Sequence, residues 1–138
     1  MFKQALEIGR DLLGEDHPHM LTSIHGLALL YTKQKHYDEA ETLFNETLEG
    51  RKRRLGEDHP HTLETKNDLA ALYKEQTRYN DSELLLLEAA NGRIEKLKLQ
   101  HPDTKESIRN LIGLYKALNK AKQADDWRAK LAATDDAE

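Results

Sequence analysis

The stretch "LGEDHPH" occupies Leu13–His19 and returns at Leu55–His61, and a weaker copy, "LKLQHPD", spans Leu97–Asp103. The His-Pro pair therefore stands at 17–18, 59–60 and 101–102, with 42 residues from each copy to the next. Shifting the chain by that interval lays Leu13–Tyr31 on Leu55–Tyr73 with 12 identities in 19 positions, far beyond chance in a fixed register. The agreement spreads outward to Leu27, Leu69 and Leu111, to Tyr31, Tyr73 and Tyr115, and to Ala40, Ser82 and Ala124. A repeat of this length is one supersecondary unit that buries its apolar face only by stacking on its neighbours, so it decides the fold class.

Two histidines around a proline can be read as a metal site or as a joint between units. The pairs His17/His19 and His59/His61 are two residues apart, with no acidic or sulfur ligands at a recognised zinc spacing. The third copy replaces the second histidine with Asp103. The joint reading needs less: histidine caps a helix that proline starts, where the backbone N–H has no partner anyway. No metal or other cofactor is expected.

Each unit reads as two helices. "PHMLTSIHGLALLYTKQ" sets Leu21, Ile24, Leu27, Ala28 and Tyr31 at spacings of three and four, one apolar face of a helix. After a break at Lys35-His36, "YDEAETLFNETLEGRKRRLG" carries a second face of Tyr37, Ala40, Phe44, Leu48 and Leu55. Gly14 and Gly56 then follow the second helices, as residues relaxing into a left-handed ending do. The pattern predicts seven helices over about residues 2–13, 18–34, 37–55, 60–76, 79–98, 102–118 and 120–133. Residues 134–138 read as a disordered tail.

Composition agrees. With 38% hydrophobic and 33% charged residues, the chain suits helices that each need only one apolar stripe. Its 21 basic and 25 acidic residues leave a net charge of −4 and no global field toward nucleic acid or an anionic membrane. The absence of cysteine excludes disulfides and thiol nucleophiles. No secretory leader and no bilayer-length apolar run can be read, so a soluble, cytoplasmic protein is expected.

A helix–turn–helix with Leu27-Ala28-x-x-Tyr31 in its first helix and Tyr37-x-x-Ala40-x-x-x-Phe44 in its second resembles a tetratricopeptide repeat. Leu69, Ala70, Tyr73, Tyr79, Ser82 and Leu86 repeat the signature. The 42-residue period, with "LGEDHP" between units, is similar to the longer repeats of kinesin light chains and related bacterial and fungal scaffold proteins. The resemblance covers nearly the whole chain. It implies an all-α, right-handed superhelical solenoid of antiparallel helix pairs, with three two-helix repeats plus one leading helix. Residues 1–17 would be the second helix of an incomplete repeat, 18–59, 60–101 and 102–133 the three repeats, and the whole a single domain. A chain opening in mid-unit reads as part of a longer array, with self-association into a homo-oligomer through its N-terminal stacking face. The third unit departs from the pattern: Ile112 replaces a small residue and Arg128 stands where Phe44 and Leu86 stood, with Trp127 beside it to take over the packing.

No converging constellation for catalysis can be read. His25 and His36 are isolated, Ser23, Ser82 and Ser107 lack a nucleophile elbow, and no phosphate loop exists. "RKRR" at Arg51–Arg54 reads as a solvated last turn whose cations complement the helix dipole. The expectation is a noncatalytic scaffold that binds a peptide or protein partner, not nucleic acid or membrane. By resemblance the ligand lies in a concave groove formed by the first helices. The positions singled out there are His25, Leu29 and Lys33, then Asn67, Ala71 and Lys74, then Arg109, Asn110 and Lys116. Asn67 and Asn110 are suited to a peptide backbone, and Lys33, Lys74, Arg109 and Lys116 to a carboxylate. Glu64, Asp68, Glu75 and Glu106 share the face, so it is not a clean basic clamp. Thr22, Gly26, Thr32 and Gly113 complete it.

Overall fold

The computed structural model describes residues 2–14 and 17–136. It runs α1 (Phe2–Leu13), α2 (Pro18–Lys33), α3 (Tyr37–Leu55), α4 (Pro60–Glu75), α5 (Tyr79–Leu97), α6 (Pro102–Ala117) and α7 (Ala121–Asp136). All seven expected helices are present. The ends of α2, α4, α5 and α6 fall one residue early, and α7 reaches three residues past its expected end, so residues 134–136 are helical rather than tail. Residues 137 and 138 lie outside the described residues, as do residues 15 and 16 of the first joint.

The joints are built three times in the same way. Proline opens each of α2, α4 and α6, and the ring Nδ1 of His17, His59 and His101 accepts the backbone N–H two residues on, at 3.2, 3.1 and 3.0 Å. The histidine nitrogens nearest the joint are thus spent on capping. Gly14 and Gly56 take φ of 89° and 97°, a region open to glycine at little cost. Lys98, at the same register, takes φ 73° without that freedom.

The turns inside the units are as regular, although no glycine announces them. Lys35, Thr77 and Asn119 adopt left-handed φ of 64°, 61° and 59°. In each, the next residue returns its N–H to the first helix: His36 to Tyr31 O at 2.9 Å, Arg78 to Tyr73 O at 2.8 Å, and Lys120 to Tyr115 O at 2.9 Å. These are Schellman endings, which satisfy carbonyls the helix can no longer serve.

Helix pairs close where side chains are small. Ala28, Ala70, Ala40 and Ser82 are fully enclosed, and Ser82 Oγ donates to Ala70 O at 2.8 Å. A methyl group on Gly92 would meet Leu63 Cδ2 at 2.7 Å, so glycine sets how near α5 comes to α4. One core joins Ala28, Ala40, Phe44 and Leu48 to Leu69, Leu72 and Tyr73 of the next unit. The next joins Ala70, Leu86 and Ala90 to Leu111, Leu114, Tyr115 and Ala124, with Trp127 packed against it. Helix α4 serves both cores, so no unit has a core of its own. Trp127 thereby fills the place that Arg128 leaves, while Arg128 stays outside and pairs with Asp125 at 2.6 Å.

Curvature follows from which helices meet. Each first helix approaches the next backbone to backbone, α2 to α4 and α4 to α6, whereas among the described residues no second helix brings its backbone as close to its counterpart in the next unit. The first helices therefore lie inside the bend of a right-handed solenoid, and their outward positions line its hollow.

Candidate functional site

Three positions one repeat apart, His25, Asn67 and Arg109, run along the hollow, and they have different fates. His25 is buried: Nε2 lies 2.8 Å from Asp68 Oδ2, Nδ1 lies 3.4 Å from both Thr65 Oγ1 and Arg51 Nη1, and the ring stands edge-on to Phe44. Asn67 is buried too. Its amide donates to Glu106 at 3.0 Å, while its Oδ1 accepts from Ser107 Oγ at 3.1 Å and Asn110 Nδ2 at 3.3 Å. In each case a residue on one first helix ties residues 40 and 43 positions on, on the next first helix. Arg109 is exposed and has no such tie among the described residues. His25 and Asn67, expected to meet a ligand, each bind unit to unit.

The tie is completed by Arg51, the first residue of a stretch whose pattern predicts a solvated turn. Arg51 is 4% exposed, and its Nη1 donates to Thr65 Oγ1 at 2.8 Å, to His61 O at 3.1 Å and to Glu64 at 3.4 Å. Burial pushes its guanidinium below the ordinary arginine value, against the pull of Glu64 and Asp68. Arg93, 42 residues on, repeats the arrangement by donating to Ser107 Oγ at 2.8 Å and Asp103 O at 3.0 Å. In both arginines a single nitrogen, Nη1, serves a backbone carbonyl and a hydroxyl of the next first helix. Only the remainder of "RKRR" stays near solvent. The signal was legible: Arg51 and Arg93, and Thr65 and Ser107, share one 42-residue register.

This ladder changes the charge of the hollow. Asp68 is held by His25, Glu64 by Arg51, and Glu106 by Asn67 with Arg93 at 3.9 Å. Glu75 turns to the Tyr37 phenol, whose pKa burial and that carboxylate raise together. The cations Lys33, Lys74, Arg109 and Lys116 form no ion pair among the described residues. Lys74 Nζ lies 3.3 Å from where a side chain on Gly113 would begin, so it reaches across to α6. Ala71, Lys74, Asn110 and Glu75 open on a cleft of about 330 Å³ floored by Leu86 and Ser82. At the other end of the row Leu29 is 40% exposed. Leu29, Ala71 and Gly113 share one register, so room grows along the array.

Among the described residues no three His, Asp or Glu converge as a metal would require, and no helix is long and apolar enough to cross a membrane. The tetratricopeptide repeat family pattern matches residues 1–53 and again 37–95, well over half of the chain. No curated protein matches the sequence. Among solved structures the chain is similar to BtubC (BKLC) from P. vanneervenii, at 21% identity and a TM-score of 0.89 over 99% of this chain and 54% of that one. It is also similar to a Podosopora anserina protein described as a kinesin light chain with nearly identical TPR-like repeats, at 24% identity and a TM-score of 0.81, over 97% of this chain and 64% of that one. A singly substituted form of the latter matches at 24% identity and a TM-score of 0.82, over 96% of this chain and 63% of that one. This chain spans between half and two-thirds of each, and the likeness is one of fold. The motif, the three-fold joint and the paired helices leave one conclusion: the chain belongs to the tetratricopeptide repeat family.

Proposed function

We propose that the chain is a noncatalytic adaptor that takes a carboxylate-bearing peptide segment of a partner protein in the hollow of α2, α4 and α6. The observation carrying this reading is the cleft between Ala71, Lys74 and Asn110, where the acids of the face are occupied by internal partners while the cations are not. A carboxylate meets Lys74 there, an apolar side chain has Leu86 as floor, and Asn110 keeps part of its amide for a backbone, while Arg109 and Lys116 of α6 add positive charge to the same hollow. Charge sets specificity and encounter rate, and a few buried anchors set affinity.

The test is a peptide array of mixed acidic and basic sequences probed with the wild-type chain and with Lys74→Glu/Arg109→Glu. Loss of the acidic spots in the variant supports the assignment, and an unchanged array removes it. Asn67 is unsuited to this test, because replacing it would loosen the joint between units.

A second reading is favoured by α1. Ile8 is 59% and Leu12 78% exposed, one turn apart on the same helix. A self-associating chain would cover them. Sedimentation over a concentration series, for wild type and for Ile8→Ser/Leu12→Ser, decides it: a wild type that stays monomeric rules it out.

A further inference from the structure

Away from the hollow, between α1, α2 and α3, lies a larger cavity of about 570 Å³. Its floor is apolar, made by Leu27, Tyr31 and Leu43, and its rim carries Glu7, Asp38, Glu39 and Glu46 against Arg10, the one cation there among the described residues. Arg10 Nη2 is tied to Glu46 at 2.6 Å, while its Nε–H, closed off from solvent, has no acceptor among the described residues.

The chain contains its own comparison one repeat on. There Arg78 lies over the Tyr73 ring at 4.1 Å and pairs with Glu41 at 2.8 Å and Asp81 at 3.2 Å. Lys66 meets Glu88 at 3.3 Å and Glu57 at 2.9 Å. Shifted back by 42 residues, those cations become His36 and Ile24, while Asp81 and Glu88 become Glu39 and Glu46. Asn80 becomes Asp38, a further acid. His36 stacks on Tyr31 with ring centroids 5.8 Å apart and reaches Glu39 at 3.1 Å, but it brings neither a permanent charge nor a second carboxylate. Among the described residues the first junction thus keeps Glu39, Glu46 and the tyrosine and adds Asp38, but has no cation at the registers of Arg78 and Lys66; Arg10 meets Glu46 and leaves Asp38 and Glu39 without a guanidinium.

We propose that this cavity is a docking site for an arginine-bearing, apolar-flanked peptide segment of a partner protein. Its guanidinium sits between Asp38 and Glu39 at the edge of the Tyr31–His36 stack, and supplies the charge that Arg78 supplies between Asp81, Glu41 and Tyr73. The apolar neighbour rests on Leu27 and Leu43. Volume, apolar floor and acidic rim together fit an anchor side chain with one charged end. Arginine is favoured over lysine because two carboxylates beside stacked rings suit its planar fork.

The experiment is an amide-resolved NMR titration of the full chain with acetyl-Leu-Arg-Leu-Arg-amide, and in parallel with acetyl-Leu-Glu-Leu-Glu-amide. The arginine peptide is expected to shift the amides of Tyr31, Thr42 and Leu43. Asp38→Asn/Glu39→Gln, both at exposed positions, should weaken that binding at least about fivefold with the helical signal unchanged, and raising the salt should weaken it too. Lys74→Glu/Arg109→Glu should leave it untouched, which separates this site from the hollow. No shifts at millimolar peptide, equal response to the glutamate peptide, shifts confined to α4 and α6, or indifference to the Asp38/Glu39 variant would each overturn the assignment.

Discussion

Arg93→Met tests whether the buried arginines lock the array. Arg93 is 4% exposed and gives two hydrogen bonds, to Ser107 Oγ at 2.8 Å and Asp103 O at 3.0 Å. Bonds from a charged donor contribute about 1.5–3 kcal/mol each, so the gross loss is roughly 3–6 kcal/mol. Two effects reduce it. Methionine keeps the packing of the aliphatic stem, and the charge no longer has to be stripped of water. Neither acceptor is orphaned, since Asp103 O still serves the α6 ladder and Ser107 Oγ still donates to Asn67 at 3.1 Å. We therefore expect a net loss of about 2 kcal/mol, near thirtyfold in the opening equilibrium. In a solenoid whose units couple only to neighbours, the loss should fall on the α5–α6 joint. Native-state hydrogen exchange checks this: amides of Leu111 and Leu114 should exchange about thirtyfold faster, with those of Leu27 and Phe44 unchanged. An effect below about 0.5 kcal/mol, or equal loss of protection in α2–α3 and α6–α7, would refute the reasoning.

Three further outcomes follow from the repeat register. Lys66 is buried between Glu57 and Glu88, whereas its counterparts Ile24 and Ile108 are fully enclosed; Lys66→Ile should be neutral or stabilise by about 1–3 kcal/mol in urea melts, and Lys66→Ala should destabilise. Lys98→Gly and Thr77→Gly, at φ 73° and 61°, should each raise stability by about 1 kcal/mol in the same melts, most for β-branched Thr77. Burial, with His61 and Arg51 adding to it, holds the His59 imidazole below its ordinary value, so the folded chain binds fewer protons there than the unfolded one. Its contribution is complete above the ordinary histidine range and is lost as pH falls from there toward the lowered value, as the ring nitrogen stops accepting from His61 N–H. Thermal melts between neutral and mildly acid pH should show a drop that His59→Asn, a cap that does not titrate, reduces.

The amino-acid sequence by itself determined the helices, their order and their period. Those depend on local pattern: spacing of apolar residues, proline at helix starts, histidine before it, glycine at two of three endings. It also named the small residues at the pair crossings, because the 42-residue register repeats them. The left-handed turns at Lys35, Thr77 and Asn119 left no comparable mark, since packing imposes them without a glycine to signal them. Tertiary structure alone decided the fate of the polar residues. A helix has several faces, and periodicity does not say which polar residue meets the next unit and which meets water. So Asn67 and His25 are drawn into the joint, and Arg51, whose place in a basic run predicts a surface cation, is buried to hold it. The same contacts engage Asp68, Glu64 and Glu106, and among the described residues they leave Lys74, Arg109 and Lys116 without ion-pair partners. Charge along a sequence is additive, but charge in a groove depends on who is paired, and pairing between residues 40 and 43 apart exists only once the units stack.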